Sequence, residues 1–203
     1  AVRWTTVLGS PAAGQPGFDT SHVYVPLRTG QLVAVSLGDG AIAWVADLPT
    51  TLAPTPGKGA VYVANENTIH SIQVSDAAVQ WQIHLNARVS APLLWNTGWL
   101  IVGLESGEIV ALRSEDGQAV WRKSLTSAIR VQPAIEGDRL FVALDDGRVV
   151  CLNLMTGQLV WQQTLGDSAT GIVALEDSLF VGAKDSFFYC LSPSPAISNL
   201  SSY

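Results

Sequence analysis

Five tryptophans stand at near-constant intervals along this chain: Trp4, Trp44, Trp81, Trp121 and Trp161 are separated by 40, 37, 40 and 40 residues. Each opens the same phrase, "WTTVL", "WVADL", "WQIHL", "WRKSL" and "WQQTL". A fixed period of this length confines the chain to a repeat architecture, in which each unit is one supersecondary element that buries its faces against its neighbours.

The content of the unit follows from the residues between the tryptophans. About twenty residues after each Trp comes a short apolar run, "HVYVPL", "AVYVAN", "WLIVGL", "RLFVAL" and "SLFVGA". A second alternating run follows: "QLVAVSL", "TIHSIQV", "EIVALRS", "RVVCLNL" and "SFFYCLS". The joining residues are Thr29-Gly30, Glu66-Asn67, Ser106-Gly107, Asp146-Gly147 and Asp185-Ser186. Such pairs supply the positive φ of tight hairpins. A glycine precedes the Trp by four residues at Gly40, Gly117 and Gly157, with Ala77 in its place in the second unit. A shorter strand near "TLAPT", "VSAPLL", "RVQPAI" and "TGIVAL" raises the content to four strands per unit, which is one propeller blade. No unit carries a helical 3.6-residue pattern, so leucine-rich and helical repeats are excluded.

The stretch "GDRLFVALDDGRVVCLNLMTGQLVWQQTL", residues 137–165, resembles the pyrroloquinoline-quinone-type (PQQ-like) repeat, with its strand, Asp-Gly hairpin, Ala-Leu strand, Thr-Gly turn and Trp strand. The resemblance covers nearly the whole chain. It implies an all-β propeller of four-stranded blades, and an inter-blade docking role for Trp4, Trp44, Trp81, Trp121 and Trp161. The opening "AVRWTTVL" is a Trp strand without a blade, and the last unit, ending "FFYCLSPSP", lacks its Trp strand. These deficits are complementary, and the expectation is five blades closed by the N-terminal strand, which would remove the exposed edge. Residues 1–192 then form the propeller, and the Pro/Ser-containing residues 193–203 a tail or linker.

Quinone-dependent dehydrogenases with this repeat hold the quinone with calcium, a catalytic Asp, an adjacent-cysteine disulfide and a stacking Trp. Here only Cys151 and Cys190 occur. They occupy the same strand slot in neighbouring units, too far apart for a bridge, and read as small buried apolar residues. Asp145, Asp146, Glu115, Asp116, Glu176 and Asp177 fall in turn slots, where carboxylates bond the local backbone. His22, His70 and His84 share no metal-ligand spacing. No nucleophile elbow, phosphate loop or dinucleotide fingerprint appears. The expectation is therefore no enzyme, no metal and no cofactor.

Charged residues make up 14% of the chain, against about 25% in ordinary domains. The net charge is −6, and the three lysines, Lys58, Lys123 and Lys184, form no basic run, so nucleic acid is not an expected partner. The most apolar window, residues 91–104, is too short for a membrane helix. The chain opens on Ala1 without a basic, apolar leader, as after removal of a signal segment or at a boundary.

The function expected is a non-catalytic protein-binding scaffold or accessory subunit of a membrane-associated bacterial complex, outside the cytoplasm. The resemblance offers the lipoprotein of the outer-membrane β-barrel assembly machinery as one precedent. The sensor domains of membrane-bound kinases are another, and a fragment of a quinone-dependent dehydrogenase is the enzymatic alternative. Trp95 and Trp99 have no counterparts in the other units. Tryptophan is enriched at binding hot spots, so this pair is the expected partner-binding patch.

Overall fold

The computed structural model describes residues 1–176 and 178–192. They form nineteen strands in five antiparallel sheets. The first sheet contains β1 (Gly17–Phe18), β2 (His22–Pro26), β3 (Gln31–Ser36) and β4 (Ile42–Asp47). The second contains β5 (Thr55–Pro56), β6 (Ala60–Asn65), β7 (Thr68–Gln73) and β8 (Val79–His84), and the third β9 (Leu94–Asn96), β10 (Trp99–Gly103), β11 (Glu108–Arg113) and β12 (Ala119–Ser124). The fourth contains β13 (Ala134–Glu136), β14 (Arg139–Ala143), β15 (Arg148–Asn153) and β16 (Leu159–Thr164). Three strands make the last sheet, β17 (Ala169–Leu175), β18 (Ser178–Ala183) and β19 (Phe188–Leu191). In every sheet the strands lie in chain order, so each is a meander built from local hairpins.

The hairpins sit where the turn residues predict them. Gly30, Gly107 and Gly147 take φ of 86°, 81° and 84° at the tips of β2–β3, β10–β11 and β14–β15. Glu66 supplies the positive φ in the two-residue β6–β7 turn. Each Trp strand pairs so that the ring-bearing residue faces a small one: Trp44 with Ala34, Trp81 with Ser71, Trp121 with Ala111 and Trp161 with Cys151. A register shift follows the small residue in all four cases. Such a bulge re-aims the strand that carries the large side chain.

The core is divided into layers between successive sheets. Tyr24, Leu32 and Trp44 meet Val61, Val63 and Ile72 between the first two sheets. Tyr62, Ile69, Leu93, Leu100 and Leu112 fill the next layer, and Ile101, Ile109, Leu140 and Leu152 the one after it. Phe141, Val149 and Cys151 pack against Leu179 and Val181 of the last sheet. The central residues of β3, β11 and β15 are buried on both faces, which is why these strands read as continuous apolar runs.

Residues 1–8 form no ladder among the described residues, and β19 has β18 as its ladder partner there. Closure of a ring by the N-terminal strand is thus not seen. The segment instead lies on the first sheet, where Trp4 and Leu8 pack against Leu27, Val33 and Val35. Deleting residues 1–8 should uncover these side chains and lower the melting temperature by several degrees, at about 2–4 °C per kcal/mol for a domain of this size. A thermal scan that superimposes on the parent's would show that the segment adds no packing. Residues 193–203, expected as a tail, lie outside the described residues.

Candidate functional site

The repeated tryptophans bond across the gaps between sheets. Trp44 Nε1 donates to Val74 O (2.7 Å), Trp81 to Ser114 O (3.1 Å) and Trp121 to Leu154 O (2.8 Å), each acceptor belonging to the next unit. Trp4 does the same to Leu37 O (3.2 Å). Trp161 packs in the layer between the last two sheets, its ring 6.0 Å from that of Phe141. The glycine four residues before the Trp now has a reason. The ring of Trp4 lies over Gly40, that of Trp81 over Gly117 and that of Trp121 over Gly157, where a Cβ would come within 2.7, 2.9 and 2.6 Å of it.

Trp95 and Trp99 lie in one hairpin but on different sides of the third sheet. Trp95 packs into the layer shared with the second sheet, Trp99 into the layer shared with the fourth. They do not form one exposed patch. Trp95 Nε1 donates to Ser114 Oγ (3.3 Å), while Ser114 O accepts from Trp81 Nε1 and Tyr62 Oη, both at 3.1 Å. The acceptor slot holds Leu37, Val74 and Leu154 in other units, so Ser114 is its one polar member among those described and explains the extra tryptophan. That serine was the available signal, and reasoning from tryptophan exposure missed it. Trp95→Ser should cost about 2 kcal/mol, since a half-buried ring is lost and no full cavity forms. Chemical denaturation checks this, and an unchanged midpoint would return Trp95 to the surface.

The residues weighed for chemistry remain dispersed. Among the described residues no three His, Cys, Asp or Glu side chains are grouped to hold a metal ion. Cys151 is buried, which pushes its thiol up to about 11, whereas Cys190 on β19 is exposed, contrary to the expectation that both are buried. The reason is positional: β19 is the last described strand of its sheet. Asp116 pairs with Arg113 (3.0 Å) and Asp146 with Arg148 (2.7 Å), both beside turns. Asp177 lies outside the described residues.

His70 is half-buried in β7 with Nδ1 unpartnered among the described residues, and burial together with the nearby His84 lowers its pKa. The folded chain therefore binds this proton less readily than the unfolded one. The contribution to stability is complete above the unfolded value of about 6.5 and is lost as pH falls through the folded value. His70→Gln should flatten the denaturation midpoint between about pH 7 and pH 5, and an unchanged slope would mean that another group carries it.

Charged groups converge elsewhere, at the tips of the long hairpins. Within two residues of the end of the second strand of each unit stands a charged residue, Arg28, Glu66, Glu105, Asp145 or Lys184, and the inter-sheet loops add Arg88 and Arg130. Arg88 Nε meets Glu66 Oε2 (3.3 Å), Arg130 bridges Glu105 (3.6 Å) and Asp145 (3.1 Å), and Lys184 reaches Asp145 (3.9 Å). The result is a ladder of ion pairs that steps across sheets two to five. Arg28 has no ion pair among the described residues. Beside the ladder an open cleft of about 610 Å³ is lined by Arg28, Arg88 and Arg130, by Glu66 and Glu105, and by the loop Pro49–Leu52. A chain of net charge −6 thus gathers three guanidiniums against two carboxylates in one concave place. Alignment of the repeats hides this site, because Arg88 and Arg130 occupy different loop slots.

Meandering four-stranded sheets locked to their neighbours by a tryptophan of the outer strand define a β-propeller of the PQQ-like repeat type. A family model described as outer membrane protein assembly factor BamB matches residues 1–194, and the chain belongs to that family. It is 30% identical over 128 residues to outer membrane protein assembly factor BamB of Yersinia pestis, covering 59% of this chain and 32% of that protein. It is 24% identical over 121 residues to the BamB of Moranella endobia, covering 58% and 31%. The chain spans about a third of the length of these relatives. The crystal structure of BamB from Moraxella catarrhalis superposes with a TM-score of 0.68 at 23% identity, over 94% of this chain and 74% of that one. The designed protein Ika8 gives 0.63 at 13% identity, over 88% and 70%. These two structures speak for the fold alone.

Proposed function

We propose that this chain is a non-catalytic, partner-binding propeller that serves as an accessory component in outer-membrane protein assembly, on the extracytoplasmic side of the membrane. The observation that carries the reading is the family match over residues 1–194, with the relatives' description as outer membrane protein assembly factors. No helix among the described residues is long and apolar enough to cross a membrane, so membrane association would come through a partner or a β-type or lipid contact.

Partner binding is assigned to the cleft lined by Arg28, Arg88 and Arg130. Hairpin tips and inter-blade loops meet there, on a scaffold that fixes their spacing. Arginine is enriched at protein interfaces, and a locally positive concavity on an acidic chain favours a partner segment that brings a carboxylate. Trp95 and Trp99 would add contacts only through their exposed edges and from separate faces, so they take a secondary place. Arg28→Glu combined with Arg88→Glu should weaken capture of the partner at least tenfold while leaving the melt nearly unchanged, because exposed ion pairs add about 0–1 kcal/mol. Affinity purification with the two proteins from the native source, read by quantitative mass spectrometry, tests this. Equal recovery of the same partners by both would remove the cleft from the interface.

The quinone-dehydrogenase alternative predicts a rise in melting temperature with quinone and calcium together, by ordinary ligand linkage. On the present reading no such rise occurs.

A further inference from the structure

The second unit is short, and the strands show where. Trp44 and Trp81 stand 37 residues apart, against 40 for the other repeated pairs. The loop between β4 and β5, residues 48–54, holds seven residues, whereas residues 85–93 between β8 and β9 and residues 125–133 between β12 and β13 hold nine each. The third missing residue comes from the β6–β7 turn. Tyr62 and its ladder partner Ser71 are nine positions apart, while Ile101 and Ala111, like Phe141 and Cys151, are ten apart.

Both shortened segments line one cleft, the loop through Pro49–Leu52 and the turn through Asn65 and Glu66. The short loop is drawn onto the one before it, since a Cβ at Gly14 would overlap Thr51 O, and Thr50 Oγ1 tightens it by accepting from Leu52 N (3.1 Å). The two nine-residue loops carry Arg88 and Arg130. The cleft therefore lies where residues are missing and is faced by arginines from the loops that are complete.

Glu66 stands at the edge of this gap. Its backbone O accepts from Val89 N (2.8 Å), and Asn67 exchanges two hydrogen bonds with Leu85 (2.8 and 3.0 Å), which locks turn and loop together beside the Arg88–Glu66 pair. The two side chains are 57% and 66% exposed, a setting in which an ion pair is weak and easily exchanged. Glu66 has φ of 51°, where glycine or asparagine would be favoured, so the turn itself does not call for a glutamate.

We propose that the short unit sets the specificity of the cleft: the missing residues open a notch that admits one extended segment of a protein partner, and Glu66 stands in for that segment's carboxylate, pairing with Arg88 until the partner's acid displaces it. This rests on the reading of the cleft as the partner site. A neutral segment would have to leave Glu66 without its cation, whereas an acidic one replaces like with like, so the internal carboxylate discriminates against the wrong occupant.

Occupancy is read with a photo-crosslinking amino acid at position 105, which lines the cleft and is exposed, in the protein within its native cell envelope. Glu66→Gln removes the competitor and should raise the adduct yield by about threefold or more, the scale of an exposed ion pair, with an unchanged melt. Inserting Gly-Ser between Pro49 and Thr50 restores the loop to nine residues and should remove most of the adduct, while the fold tolerates the added length. Arg88→Glu should abolish the adduct, and reversing the acid in the crosslinked partner segment to Arg should bring it back. An unchanged yield with Glu66→Gln, or with a folded insertion variant, would overturn the proposal and leave the cleft as the partner site. Should the insertion lower the melt, Glu66→Gln and the charge reversal decide. No adduct from the parent would overturn the reading of the cleft together with the proposal.

Discussion

Trp44→Ala is expected to cost about 3–5 kcal/mol, the usual range for removing a buried Trp, and to lower the melting temperature by about 10 °C. The side chain is 9% exposed, its ring lies tilted against Tyr24 with centroids 5.8 Å apart, and its Nε1–H is the donor to Val74 O. Removing it opens a void between the first two sheets and leaves a carbonyl of the second unpaired. Trp44→Phe separates the two effects. It keeps most of the apolar surface and loses only the donor, so it should cost about 1–2 kcal/mol. Urea denaturation of the three proteins gives the comparison. Equal losses for Ala and Phe would mean that the hydrogen bond, rather than packing, holds the layer.

The second large effect should come from the glycine on which each ring rests. Gly117 has φ of 73°, and a Cβ there would lie 2.9 Å from Trp81 and 3.0 Å from Ile83. Gly117→Ala combines an unfavourable backbone region with overpacking, so a loss above about 2 kcal/mol is expected. The chain contains the reverse experiment. Ala77 holds φ of 60° in the equivalent slot and packs into the layer that contains Trp44. Ala77→Gly relieves the backbone, and it should be neutral or stabilise by up to about 1 kcal/mol. Opposite signs at the two positions support the seat; losses of similar size at both would refute it.

Much of this architecture was legible because a repeat states each rule several times. The Trp phrase, the small residue facing it and the glycine before it recur in register, and each recurrence marks one inter-sheet contact. The hairpin tips were legible for a local reason, since positive φ demands particular residues. What escaped depended on neighbours in space. Trp95 reads as a surface residue until Ser114, nineteen positions later, is seen to accept its N–H. Arg88 and Arg130 look like unrelated loop residues until the sheets bring them to one cleft with Arg28. The slot that buries Cys151 leaves Cys190 exposed, because burial there comes from the following sheet and not from the strand itself.

The claim that this propeller works by holding a partner at the arginine-lined cleft is tested most directly by placing a photo-crosslinking amino acid at position 88 of the protein in its native cell envelope. Position 155 serves as control, since Met155 is 57% exposed in a turn at the other end of its strands. Illumination should join position 88, and not position 155, to a component of the outer-membrane protein assembly apparatus. No adduct from position 88, or the same adducts from both positions, would contradict the account.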